Sequence, residues 1–269
     1  MAKKKKKSWQ QTTYSILAML LWTFAAVIAS QLVLGYLLLW ILSPETLSQP
    51  LWSAIYSALA YLLAMALVIF VPPKLTKLWQ SVKQKEDDKN KTKKKIVTGK
   101  VDKEELGIKG WPTWTDIGLS LVGFVAQLIL AAILVGIFSI FPWFDAGEAQ
   151  DVGFSLSLTG LDRIIAFISL VIVAPIAEEI IFRGWLYGKL RRKLSEQVSN
   201  TAGMIISIFL VSLLFGIVHL QWNVGVNVFA LSVVLCGLRE LTGTIYSGIL
   251  LHMIKNGVAF YLLYVLGVG

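Results

Sequence analysis

Long apolar runs dominate this chain and constrain its fold more than any other feature. Several runs exceed about 18 residues, which is enough for an α-helix to cross a bilayer. Hydrophobic residues make up 56% of the 269 positions. Charged residues make up only 15%, against about a quarter in a soluble domain. Because a bilayer offers no partner to unpaired backbone groups, the runs must be helices, and they lack the alternation of a membrane barrel. The sequence predicts an all-α, polytopic transmembrane bundle.

Polar links and prolines divide the apolar runs into about seven predicted spans. The second span should end at Pro72 and Pro73, because proline removes a helix hydrogen bond and clashes with the preceding turn. Residues 1–115 then form a two-helix region with a Lys-rich loop, and residues 116–269 form the helical core of the same membrane domain. The predicted spans are 14–42, 51–71, 116–141, 161–193, 202–220, 224–241 and 244–266.

The basic residues predict how the chain lies in its membrane. A net charge of +9 would suggest nucleic acid in a soluble protein, but here the lysines lie in segments that flank the apolar runs. Basic segments face the cytoplasm, so residues 3–7, 74–110 and 191–193 should be cytoplasmic. The links at 43–50 and 142–160 contain no basic residue and should lie outside. We therefore expect a multi-pass protein of the cytoplasmic membrane, with a cytoplasmic N-terminus and no nucleic-acid partner.

A few ionisable and amide side chains interrupt the apolar runs. Ionisable groups inside a bilayer are costly, so they are candidates for function. The chain has only two histidines, and both lie in predicted spans, where an imidazole can move protons near neutral pH. We interpret Lys255 as a cation that extends toward the membrane surface. The set comprises Glu178, Glu179 and Arg183 in the fourth span, His219 in the fifth, and His252, Lys255 and Asn256 in the seventh.

Helical spacing separates the two adjacent glutamates. Glu179 and Arg183 are four residues apart with the acid first, which favours an ion pair on one face of a helix. Glu178 is rotated by about 100° from Glu179, so it faces another direction and lacks that cation. A carboxylate without a partner in a dry site suits acid–base chemistry. We therefore predict a chemical role for Glu178 and a structural role for the pair.

The same spacing connects each histidine to a neighbour. Phe215 lies four residues before His219, so its ring can pack against that imidazole and hold it. His252 and Asn256 are also four residues apart, and both can direct hydrogen-bond donors at one point, as an oxyanion site requires. The spacing thus favours a site built from more than one helix.

Glu178 and His219 should lie at the same depth in the membrane. The turn between the fourth and fifth spans falls near residues 197–200, halfway between the two side chains, so straight antiparallel helices place them level. His219 nevertheless lies close to the end of its span. A connection at 220–225 that is recessed into a polar cavity would bring it to the level of His252, because irregular backbone is tolerated at depth only in such a place.

Three short motifs in order give the C-terminal half of the chain a family resemblance. The stretches "EEIIFR", "FGIVH" and "HMIKN" resemble the motifs EExxxR, FxxxH and HxxxN of a family of intramembrane endopeptidases. This is the CAAX protease and bacteriocin-processing family, also called the type II CAAX prenyl endopeptidase or Abi family. The resemblance covers about residues 160–260, and the N-terminal half carries no motif. It implies a glutamate protease that cuts a membrane-associated protein or peptide in the lipid bilayer.

The resemblance also implies a role for each motif residue. Glu178 and His219 would activate the attacking water, and His252 and Asn256 would stabilise the tetrahedral oxyanion. The supporting positions, which would order the site, are Glu179 and Arg183 in the first motif and Phe215 in the second.

Several alternatives remain open at the level of sequence. A zinc peptidase could use Glu178, His219 and His252 as ligands. Against it, the chain has no HExxH helix, and its single cysteine, Cys236, offers no thiolate site. We therefore expect no metal or other cofactor. A non-proteolytic scaffold or bacteriocin-immunity factor could use the same polar core, and a transporter could relay protons through it, although the chain lacks the internal repeat of many transporters. The oligomeric state has no sequence signal.

Overall fold

Helices make up most of the part of the chain that the structure describes, and no strand occurs there. The computed structural model describes residues 9–87, 103–148, 154 and 158–267. It confirms the predicted all-α bundle. The helices are α1 (Trp9–Ile41), α2 (Pro44–Leu47), α3 (Pro50–Asp87), α4 (Trp114–Phe138), α5 (Gly160–Ser195), α6 (Asn200–Ile217), α7 (Trp222–Thr242) and α8 (Tyr246–Tyr264).

Six of the described helices are long and apolar enough to cross a membrane. They are α1, α3 over Pro50–Leu75, α4, α5, α6 and α7. The seventh predicted span is α8, whose 19 residues extend about 28 Å at ~1.5 Å per residue, close to the ~30 Å thickness of the hydrocarbon core. Polar side chains at His252, Lys255 and Asn256 lower its hydropathy. The chain is thus a multi-pass membrane protein.

The predicted orientation concerns residues that lie partly outside the described part of the chain. Residues 3–7 and 88–102, which carry much of the basic charge, lie outside it. Residues 149–153 and 155–157 of the predicted outer link do so too. The cytoplasmic N-terminus and Lys-rich loop therefore stay predictions.

The predicted end of the second span at Pro72 and Pro73 is wrong. Helix α3 continues through both prolines to Asp87. Each proline removes only its own N–H from the helical ladder. Val68 and Ile69, one turn earlier, are 0% and 5% exposed, and α3 packs along α1. Tertiary packing of this face therefore maintains the helix where local propensity would end it.

Helix α5 occupies the centre of the bundle and is irregular. It packs against α1, α3, α6, α7 and α8. Two stretches, Ile168–Val173 and Glu179–Tyr187, are π-helical. The wider π turns change the directions of side chains, and such stretches are frequent at functional sites. The change from α to π winding falls between Glu178 and Glu179.

Residues 103–110 close one end of the bundle against α5 and α8. Leu106 is buried, and its carbonyl oxygen would lie only 3.0 Å from a Cβ atom placed on Gly184. The backbone N–H of Ile245 donates to the carbonyl oxygen of Gly107 at 3.1 Å. This segment, which we call the 103–110 segment, is therefore packed as part of the fold, and the glycine permits its close approach to α5.

Candidate active site

Glu179 and Arg183 form the ion pair that their spacing predicts. Nη1 of Arg183 lies 2.9 Å from Oε1 of Glu179, and both side chains are fully buried. The guanidinium also lies over the ring of Phe215, with Cζ 4.4 Å from the ring centroid, which adds a cation–π contact. The pair neutralises one carboxylate inside the bundle, where an uncompensated charge is costly.

His252 lies between the two adjacent glutamates. Its Nδ1 is 3.2 Å from Oε1 of Glu179, and its Nε2 is 3.7 Å from Oε2 of Glu178. A carboxylate oxygen only accepts, so Nδ1 carries the hydrogen and donates it to Glu179. In the neutral imidazole, Nε2 is then the free nitrogen, and it faces Glu178. The imidazole connects the buried ion pair to the second carboxylate.

Glu178 is the more accessible of the two carboxylates. Its side chain is 15% exposed, whereas that of Glu179 is not exposed at all. Oε1 of Glu178 accepts a hydrogen bond from the hydroxyl of Tyr61 at 2.6 Å. The expectation that Glu178 has no partner is therefore wrong, because the hydroxyl of Tyr61 on α3 donates to it. The interpretation of Lys255 as a cation that extends to the membrane surface stays a prediction.

His219 follows the last turn of α6, and its ring orientation is fixed by Phe215. Nδ1 of His219 lies 2.7 Å from the carbonyl oxygen of Phe215. Because a carbonyl only accepts, Nδ1 donates, and Nε2 of the neutral ring is free to accept a proton. The Phe215 ring lies 5.0 Å from the ring of His219 and 6.0 Å from that of His252, between centroids. The chain then turns sharply at Leu220, where φ is 57°.

Glu178 and His219 line one cavity of about 330 Å³. The two side chains therefore lie close to one another, and their common depth in the membrane stays a prediction. Helices α1 and α3 form another wall, to which Gln31, Tyr56 and Tyr61 contribute polar groups. The N-terminal helices thus complete the site, although they carry none of the motif residues.

Asn256 is not among the described residues that line this cavity. Its Nδ2 donates to the carbonyl oxygen of Leu170, 2.9 Å away in the first π-helical stretch of α5. His252 is likewise outside the cavity wall, but it contacts Glu178. The four residues predicted to be catalytic therefore form two groups. Glu178 and His219 face the cavity, and His252 and Asn256 lie beside it on α8.

Tyr61 is a site residue that sequence reasoning missed. It lies within the apolar run of α3, where a tyrosine is an ordinary core or interfacial residue. No spacing rule relates it to Glu178, because the two residues are 117 positions apart and meet only through tertiary packing.

A larger cavity of about 520 Å³ lies between α4, α6 and α7. Its walls are almost entirely apolar and include Phe138, Phe209 and Trp222. No ionisable side chain contributes to it within the described residues, so it offers no group that could transfer a proton. The smaller cavity is the candidate active site.

The C-terminal part of the chain matches a known protein family. The model of the Rce1-like family, described as type II CAAX prenyl endopeptidase Rce1-like, matches residues 160–258. This region of the chain is therefore similar to the Rce1-like family. The match confirms the resemblance to the CAAX proteases, and it covers a little over a third of the chain, from α5 into α8. No curated protein and no solved structure matches the chain significantly.

Proposed function

We propose that this protein is an intramembrane endopeptidase that hydrolyses a peptide bond of a membrane-associated protein or peptide. One observation carries the proposal: Glu178 and His219 line the same cavity within an Rce1-like region. A carboxylate and an imidazole with a free nitrogen are suitable groups for removing a proton from water. Both residues lie within the membrane-spanning bundle, which suits a substrate that is held in the bilayer.

The first step is attack by water on the scissile carbonyl. Water bound between Glu178 and Nε2 of His219 loses a proton as its oxygen bonds to the carbonyl carbon. The proton passes to the amide nitrogen when the C–N bond breaks, which leaves a free acid and a free amine. The carbonyl of Phe215 supports this step, because it holds His219 in the tautomer that can accept the proton.

His252 and Asn256 stabilise the oxyanion in this mechanism. Because Nδ1 of His252 donates to Glu179, the ring must gain a proton on Nε2 before it can donate to the substrate. The amide of Asn256 keeps a second N–H besides the one that it gives to Leu170.

The proposal includes a location in the cytoplasmic membrane. The basic residues 3–7 and 74–110 then face the cytoplasm, as the distribution of lysines predicts. The bilayer and a membrane-associated protein or peptide are the expected partners.

The test compares membranes containing the wild-type protein with membranes containing Glu178→Gln. The substitution nearly preserves shape but removes the proton acceptor, so new peptide N-termini detected by mass spectrometry should appear only with the wild type. Glu196→Gln is the matched control, since Glu196 is exposed beyond the end of α5, and it should cleave like the wild type. If Glu178→Gln generates the same new termini, the proposal is wrong, and a scaffold or immunity role that needs only the shape of the core is preferred.

Metal analysis decides between this mechanism and a zinc-dependent one. Within the described residues, no group of three or more His, Cys, Asp or Glu side chains is placed to hold a metal ion. We propose that the purified active protein contains no stoichiometric zinc and keeps its activity after chelation. Stoichiometric zinc together with loss of activity on chelation would instead support Glu178, His219 and His252 as ligands.

A further inference from the structure

A hydrogen bond between Tyr61 and Glu178 connects the N-terminal helices to the candidate active site. The hydroxyl of Tyr61 lies 2.6 Å from Oε1 of the carboxylate. Tyr61 belongs to α3, outside residues 160–258 that match the Rce1-like family. It also lines the cavity that Glu178 and His219 share. The contact therefore lies inside the space where water and substrate would bind.

This hydrogen bond makes the two oxygens of Glu178 unequal. Oε1 is held by the phenol, while Oε2 lies 3.7 Å from Nε2 of His252. A free glutamate side chain samples several staggered conformations, whereas a tyrosine positions its hydroxyl through a rigid ring. Holding Oε1 therefore fixes the direction in which Oε2 presents its lone pairs.

We propose that Tyr61 is a positioning residue whose hydroxyl orients Glu178 for removal of the proton from water. The inference rests on the proposed function, since it assigns Tyr61 a role only through Glu178. If Tyr61 has this role, the Rce1-like region carries the motif residues, while α3 supplies the hydroxyl that positions one of them. Because the hydroxyl acts on Glu178 and not on the peptide, substrate binding should depend on it only weakly.

Other ionisable groups also face Glu178, and the test must separate their effects from that of Tyr61. Within the described residues, α1 contributes no ionisable side chain to the cavity wall. Tyr61 is the group that makes a hydrogen bond to this carboxylate, so its removal changes one contact and leaves the charges in place. Those charges and rings are Glu179 and Arg183 on α5, His219 on α6, and His252 and Lys255 on α8.

The test compares Tyr61→Phe with Tyr36→Phe. Tyr36 lies on α1 with a side chain that is 75% exposed, and it is not part of the cavity wall. The assay follows, in liposomes, an internally quenched peptide that carries a cleavage site found by the comparison of N-termini. Tyr61→Phe should lower kcat about 10- to 100-fold, as expected for a lost hydrogen bond to a charged group, with KM within about twofold. Tyr36→Phe should change neither value.

The pH dependence distinguishes positioning from a purely structural role. If the hydroxyl acts through Glu178, its loss should move the acid limb of the kcat profile to higher pH in Tyr61→Phe. Replacing Tyr61 by 3-fluorotyrosine keeps the ring and strengthens the donor, so it should move the acid limb to lower pH. This second variant decides the matter if Tyr61→Phe does not fold.

The possible outcomes separate this inference from the proposed function. If Glu178→Gln is inactive while Tyr61→Phe and Tyr36→Phe have equal kinetics, Tyr61 has no positioning role and the endopeptidase proposal stands. A lower kcat with an unmoved acid limb in both variants at position 61 would also overturn the inference, because it shows a structural effect. Full activity in Glu178→Gln would overturn both proposals.

Discussion

Removal of Arg183 tests the energetics of the buried ion pair. In Arg183→Met, the carboxylate of Glu179 loses its cation at a site where neither side chain is exposed. Breaking one partner of such a pair costs about 3–5 kcal/mol. Loss of the buried contact with the Phe215 ring at 4.4 Å adds about 2 kcal/mol. We therefore expect a loss of roughly 5–7 kcal/mol, which raises the unfolding constant about 5,000-fold or more.

The double variant Glu179→Gln with Arg183→Met gives the sharper result. It removes both charges, so no uncompensated charge stays buried, and its cost should be smaller than that of Arg183→Met alone. The amide oxygen introduced at position 179 can still accept from Nδ1 of His252, so the imidazole keeps a partner. Denaturant titration in detergent micelles, followed by tryptophan fluorescence, measures both free energies of unfolding.

Arg192→Met is the matched control for this prediction. Arg192 lies on the same helix with a 59% exposed side chain and pairs with Glu105, so its removal should cost less than about 1 kcal/mol. Two results would refute the reasoning. The first is a free-energy cost for Arg183→Met as small as that of the control. The second is a cost for the double variant that equals the costs of Glu179→Gln and Arg183→Met added together.

Two further predictions concern the 103–110 segment. Partial burial raises the pKa of the Glu105 carboxyl, but hydrogen bonds and charges from two basic side chains of α5 outweigh it, so its pKa lies below the ordinary value of 4.5. A depressed pKa stabilises the fold at higher pH, and this contribution is lost as the pH falls through the depressed value. Thermal unfolding of Glu105→Gln should therefore vary less than that of the wild type between about pH 5.5 and 3, and equal profiles would contradict this. A Cβ at Gly184 would lie 3.0 Å from the carbonyl of Leu106, so Gly184→Val should release the segment to limited proteolysis. Gly118→Val, whose Cβ meets nothing within 4 Å, should leave protease resistance unchanged.

Features that depend on neighbours along the chain could be predicted from the sequence. The spans follow from apolar length, and the third one, predicted at 116–141, is Trp114–Phe138 in the structure. The ion pair between Glu179 and Arg183 follows from the helical repeat. In both cases residues that are close in the sequence determine the feature. A span needs only a long apolar run, and the ion pair needs only two side chains one helical turn apart.

Features that depend on packing between distant segments could not be predicted. The continuation of α3 through Pro72 rests on burial of its face, which outweighs the loss of one backbone donor. The contact of Tyr61 with Glu178 has no local signal in either helix. The hydrogen bond from Asn256 to the carbonyl oxygen of Leu170 likewise joins residues 86 positions apart, in α8 and α5.

The change of winding in α5 explains how two adjacent carboxylates acquire different environments. Glu178 ends a stretch of α-helix and reaches the cavity, whereas Glu179 begins the π-helical stretch and is sealed inside with Arg183. The two carboxylates nevertheless stay connected, because they contact opposite nitrogens of His252. Loss of Arg183 would leave Glu179 with Nδ1 of His252 as its hydrogen-bond partner within the described residues. The buried pair therefore contacts the cavity carboxylate of Glu178 through His252, although neither of its members lines that cavity.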